Sequence, residues 1–167
     1  RVTLTELLDE LIAGFQRRHP DTHIAVSFGE LAPTYGEAVD LTLYRCVQEG
    51  ITNAIRHGAA RSLTVDLTEL PASRHEGERR RARLALQLSD DGQGIAPSTP
   101  KGFGLTAMTE RVKSLGGTCA IESLPDKGTV IRIEIPVERG AVPAARAAAV
   151  KRKTAAKRAA ELVGGLS

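Results

Sequence analysis

Hydrophobic positions along the chain fall into two alternating periods. Leu4, Leu7, Leu8, Leu11, Ile12 and Phe15 recur at helical spacing over residues 3–18. The pattern stops at His19-Pro20, because the residue before a proline resists helical backbone. "THIAVSF" (22–28) then switches to period two, with Ile24, Val26 and Phe28 on one side of a strand. "ELAPTYG" has the composition of a loop. Over 37–57 a second helical stripe runs through Val39, Leu43, Val47, Ile51, Ala54 and Ile55, and Gly58 stops it.

Period two returns in "RSLTVDLTEL" (61–70), with Leu63, Val65 and Leu67 in phase, and in "RARLALQLSDD" (81–91), with Leu84, Leu86 and Leu88 in phase. Between them "PASRHEGERR" (71–80) is polar and turn-like. The Gly/Pro-rich stretch 92–104 is incompatible with regular structure. A third helix is predicted over 105–115, ended by Gly116-Gly117. Two final strands, "TCAIES" (118–123) and "TVIRIEIPV" (129–137), flank the turn "LPDKG". The order α-β-α-β-β-α-β-β has too few crossover helices for a parallel sheet. It predicts an α+β fold, a two-layer α/β sandwich whose mixed sheet carries helices on one face.

A chain of 167 residues suffices for one domain with a core, plus an extension. Aromatic residues make up only 3% of it, so Leu, Val, Ile and Ala must build that core. No run approaches the ~18–20 apolar residues of a membrane span. The sequence begins at Arg1 rather than Met, as expected of a piece of a longer protein. The two cysteines, Cys46 and Cys119, lack the spacing of a metal site and are expected to be buried, reduced thiols.

The net charge of +3 divides unevenly. Residues 138–167 hold seven Lys/Arg and two Asp/Glu, hence +5, while residues 1–137 hold sixteen basic and eighteen acidic residues, hence −2. The predicted domain, 1–137, is therefore mildly acidic, and no specific nucleic-acid partner is expected for it. The Ala/Lys/Arg-rich tail (138–167) has helix-forming composition without a clean apolar stripe. It is expected to be a loosely attached extension, disordered or helical.

Three polar clusters interrupt this apolar framework. Glu49 and Asn53 stand four residues apart on one helix face, with Arg56 and His57 a turn further on. A carboxylate beside an amide oxygen suits a hard cation such as Mg²⁺ and the handling of a proton, and the two basic side chains suit phosphate. A solvated helix face would look the same. Asp90 is in phase with Leu84, Leu86 and Leu88, so its carboxylate sits on the inward face. There it either caps the following turn or awaits a ligand's N–H donors. Finally, Gly92 and Gly94 in "DDGQGI", and Lys101, Gly102 and Gly104 ahead of a helix, allow close approach of backbone to a phosphate-bearing ligand.

Together these clusters are more specific than any one of them. "LYRCVQEGITNAIRHG", "LSDDGQGI", "GFGLTAMTERVKSLGG" and "GTVIRIEIP" resemble, in order and spacing, the catalytic ATP-binding domain of bacterial sensor histidine kinases. These domains have the Bergerat fold shared with gyrase, and the subgroup resembled is that of the nitrate/nitrite and hexose-phosphate sensors. The resemblance covers residues 3–137. It implies ATP and Mg²⁺ as cofactors, with Asn53 as the Mg²⁺ ligand and Glu49 as general base. It further implies that Arg56 and His57 face the phosphates and that Asp90 accepts from the adenine amino group. Gly92, Gly94 and Ile95 would shape the adenine pocket. Lys101, Gly102, Gly104 and Leu105 would bound a short lid, about 96–101, and Thr129 would help hold the adenine, usually through water. Thr109 departs from the subgroup, which often has Arg there.

Of the histidines, His19 precedes a proline, His23 opens a strand, His57 belongs to the polar helix and His75 lies in a polar turn. None lies in a dimerisation helix. The resemblance therefore implies a phosphoacceptor histidine on the protein's own upstream dimerisation domain, a response regulator as the next partner, and a cytoplasmic location. Any membrane contact would come through other parts of the parent. Two alternatives remain at this stage: a free-standing anti-sigma-type serine kinase, and a degenerate nucleotide-binding docking module.

Overall fold

A computed structural model describes residues 2–95, 103–123 and 125–138. Helix α1 spans Leu4–Arg18, and Thr3 and Glu6 close a reciprocal capping box at its start. Strand β1 (His23–Phe28) leads through a loop to α2 (Glu37–Arg56). There follow β2 (Ser62–Leu70), β3 (Ser73–His75), β4 (Glu78–Arg80) and β5 (Arg83–Asp90). Helix α3 (Phe103–Ser114), β6 (Thr118–Ser123) and β7 (Thr129–Pro136) complete the order.

Five strands form one sheet in the order β1-β2-β5-β7-β6. β1 and β2 pair parallel, with α2 as their crossover, and every other neighbour is antiparallel. This is the expected mixed sheet. Leu63, Val65 and Leu67 of β2, Leu84, Leu86 and Leu88 of β5, and Ile131, Ile133 and Ile135 of β7 are buried under the helices. The intervening residues are partly exposed on the open face, where Arg132 and Glu122 pair at 3.0 Å. One core therefore lies between a single helical layer and one face of the sheet.

The structure adds detail where the pattern was silent. Residues 71–80, expected as a turn, contain the short hairpin β3–β4, paired Ser73↔Arg80, Arg74↔Arg79 and His75↔Glu78. All six residues are exposed, so no buried face imposed an apolar alternation on them. Helix α3 begins two residues before the predicted start, at Phe103. Of the two cysteines, Cys46 is buried and Cys119 only partly so, and both are free thiols. The Cys46 thiol is pushed up to about 12, first by burial and then by the neighbouring Cys119, with Arg111 opposing. The expected lid, Lys101, Gly102 and the tail beyond Glu138 lie outside the described residues.

Candidate nucleotide-binding site

The C-terminal end of α2 and the adjoining edges of β5, β7 and β6 bring the polar residues together. In α2 the buried positions Leu43, Cys46, Val47, Gly50, Ile51 and Ala54 fix which side faces the sheet. Asn53 and His57 are thereby carried to the rim of a small cavity of about 30 Å³. Its lining also includes Gly50, Asp90, Gly94, Ile95, Leu105 and Thr129. The mixed wall, aliphatic with a few polar groups, is of the kind that receives the base of a nucleotide.

Asp90 ends β5 and is paired across the ladder with Thr129 of β7. Its Oδ1 accepts the Gly92 amide at 2.8 Å. Desolvation raises its pKa above the usual carboxylate value; hydrogen bonds from the Gly92 and Thr129 backbone pull it down by less. The result is a partly buried, desolvated carboxylate in the cavity lining. Gly92 itself packs against the end of α2: a methyl group there would lie 2.4 Å from the Gly58 carbonyl oxygen. Gly94 has φ +74°, which a side chain would resist.

Asn53 carries the second sign of an unmet ligand. Its Nδ2 is buried and has no hydrogen-bond partner among the described residues. Such an atom costs on the order of 1–3 kcal/mol. A flip of the amide exchanges nitrogen for oxygen at this point, so the same position can receive either an acceptor or a cation. Glu49, one turn earlier, reaches the start of α3, where a methyl group added at Gly104 would sit 2.1 Å from Glu49 Oε2. A side chain at Gly104 would make the flexible Glu49 carboxylate move aside. His57 caps α2, its amide donating to the Asn53 carbonyl at 3.1 Å. Arg56, the last residue of α2, is exposed and is not among the residues lining this cavity.

One site residue escaped the sequence. Ser123, at the end of β6, accepts from the Ile95 amide and stands 2.9 Å from the Thr129 hydroxyl. It is in phase with Cys119 and Ile121, so it ends an inward row as Asp90 does, and that signal was available in "TCAIES". Register places Asp90, Thr129 and Ser123 side by side on three neighbouring strands.

Residues 38–139 match the family described as histidine kinase-, DNA gyrase B- and HSP90-like ATPase. The chain belongs to this ATPase family. Among curated relatives it is 38% identical over 101 residues to the signal transduction histidine-protein kinase/phosphatase UhpB of Salmonella typhimurium. That match covers 60% of this chain and 18% of the relative. It is 31% identical over 136 residues to the sensor histidine kinase LiaS of Bacillus subtilis, covering 80% of this chain and 33% of LiaS. The chain thus spans about a fifth to a third of the length of these sensor kinases. Among solved structures the mycobacterial sensor histidine kinase MprB superposes with TM-score 0.60 at 22% identity, covering 83% of this chain and 97% of that one. The ATP-binding domain of PrrB from Mycobacterium tuberculosis gives 0.58 at 20%, covering 81% and 95%. The fold is that of histidine kinase ATP-binding domains.

Proposed function

We propose that this ATPase-family domain is the catalytic part of a two-component sensor histidine kinase. It would bind Mg²⁺–ATP and deliver the γ-phosphoryl group to a histidine on its own upstream dimerisation domain, from which a response regulator takes it. The observation that carries this reading is the convergence on one cavity of Asp90, Thr129 and the Asn53 Nδ2, which has no partner among the described residues. Asp90 accepts from the exocyclic amine of adenine, which adds a donor to its desolvated carboxylate.

Mg²⁺ fits the donor set. Among the described residues no cluster of three His, Cys, Asp or Glu could hold a metal. Mg²⁺ does not need one, since it is commonly held by one or two protein oxygens with phosphate and water. Asn53 is the protein ligand. When bound, Mg²⁺ neutralises charge on the phosphates. Glu49 takes the proton from the accepting imidazole as its nitrogen bonds to phosphorus and the bond to the ADP oxygen breaks. His57, Arg56 and Lys101 stabilise phosphate charge, and Gly102, Gly104 and Leu105 belong to the phosphate side of the site.

That UhpB and LiaS are named as histidine kinases favours histidine over serine as acceptor. Glu49, Asn53 and Asp90 together argue against a degenerate docking module. Among the described residues no helix is long and apolar enough to cross a membrane. We place the domain in the cytoplasm, with any membrane attachment elsewhere in the parent.

The test is calorimetric titration of ADP and a non-hydrolysable ATP analogue, with Mg²⁺, into wild type and Asp90→Asn. Wild-type binding that weakens at least tenfold in the variant is expected, about 1.4 kcal/mol for one lost charge-assisted hydrogen bond. A folded wild type that binds neither nucleotide overturns the reading. Adding the upstream dimerisation domain in trans should then give an acid-labile phosphohistidine.

A further inference from the structure

Resting on the nucleotide-site reading, we infer that Ser123 is a positioning residue that turns the Thr129 hydroxyl into a hydrogen-bond donor toward the purine ring and so sets the base edge the site accepts. Among the described residues Ser123 Oγ has three polar neighbours. The Ile95 amide can only donate to it. The Gly128 carbonyl oxygen is 3.4 Å away and the Thr129 Oγ1 2.9 Å away. A normal O–H···O bond measures roughly 2.5–3.0 Å, so the 3.4 Å contact is a poor use of the single serine hydrogen.

Two hydrogen arrangements are compatible with these distances. If Thr129 donates to Ser123, the serine hydrogen is left with the long Gly128 contact alone. If Ser123 donates to Thr129, the serine hydrogen makes a bond of normal length, and the bond received from Ile95 polarises the serine hydroxyl into a better donor. The second arrangement wins. The Thr129 oxygen is then occupied as an acceptor from Ser123, and its hydrogen is left for the cavity that Thr129 lines beside Asp90.

The site therefore offers an acceptor, Asp90, next to a donor, Thr129. Adenine presents the complement: a donating exocyclic amine beside the accepting ring nitrogen N1. Guanine and hypoxanthine present the reverse, an accepting O6 beside a donating N1–H. A water between Thr129 and the ring preserves the polarity, because it receives from Thr129 and donates onward. Ser123 also ties β6 to Ile95, the residue that leads into the glycine-rich segment.

The experiment compares ATP with 1-deaza-ATP, which replaces N1 by C–H, by calorimetric Kd in wild type, Ser123→Ala, Ser123→Thr and Thr129→Val. Wild type should prefer ATP by about tenfold, one hydrogen bond. In Ser123→Ala that preference should shrink to within about twofold. Ser123→Thr should restore it, and Ser123→Ala should change nothing further in the Thr129→Val background. A purely structural role would weaken both nucleotides equally and leave the ratio intact; that result, with wild type binding ATP normally, overturns the inference and spares the nucleotide site. Wild type that binds no ATP overturns both. Should Ser123→Ala fold poorly, a folded Ser123→Thr with a collapsed ratio also counts against the role.

Discussion

Asp90 and Asp91 are sequence neighbours of identical chemistry, and the sheet gives them opposite tasks. Asp91 Oδ1 accepts the Arg61 and Ser62 amides at 2.9 Å each, tying β5 to the start of β2. Asp90 faces the cavity with its pKa raised by desolvation. The sign of the consequence is fixed by linkage. Because the folded pKa exceeds the unfolded one, Asp90's contribution to stability is fully present at low pH and is lost as pH rises through its folded value. Above that folded value the ionised group is a cost, so Asp90→Asn should there leave the melting temperature of the free protein unchanged or raised while weakening nucleotide binding. Thermal unfolding beside the titrations checks this. With the proposed adenine contact, binding has the opposite pH sign, because the amine needs the carboxylate. Affinity should be full above Asp90's raised pKa and decline as pH falls through it, and that component should vanish in Asp90→Asn. Asp90 was legible from strand phase alone. Ser123 carried the same phase signal, but a lone serine at a strand end has many uses, and only its contacts single it out.

At the scale of elements, the helices divide the labour. α1 packs its apolar stripe on the sheet and closes its first turn with Thr3 and Glu6, whose side chains bond reciprocally at 2.8 and 3.2 Å. Thr3→Ala should cost about 1 kcal/mol of stability, read as a lower denaturant midpoint, without altering nucleotide Kd. The cap lies at the opposite end of the domain from the cavity, as the Leu4–Pro33 backbone bond beside the start of α2 indicates. α2 is both core and site. Its Gly50 lies so close to the sheet that a methyl group would meet Leu88 Cδ2 at 2.7 Å. Leu88 is buried and has little room to yield. Gly50→Ala should therefore destabilise by about 1–3 kcal/mol and weaken nucleotide binding as α2 lifts. Helix and strand periods identified all of the long elements because each buries one face. The β3–β4 hairpin buries nothing, so its sequence carried no such period.

At the scale of the whole molecule, one sheet end holds the cavity and the other holds the chain's exit. The last described backbone tie is Val137 N–H to the Ala82 carbonyl at 2.9 Å, at the end of β5 remote from Asp90. We take 1–137 as the domain and 138–167 as an appendage to it. A chain ending at Glu138 should accordingly bind nucleotide with the affinity of the full chain, and a loss of more than about threefold would assign the tail a part in the site. The sequence by itself determined the helices, the strands and their buried faces, because burial imposes periods of 3.6 and two on side chains a few residues apart. It also placed Glu49 and Asn53 on one face and Asp90 inward, since those are local consequences of the same periods. Only the tertiary structure decided which strands are neighbours, and hence that Asp90, Thr129 and Ser123 stand in one row. It alone revealed that the Asn53 Nδ2 is buried without a partner among the described residues and that Arg56 stands away from the cavity lining. Strand order, register and the meeting of distant loops are set by how the whole core packs, and no local period records them.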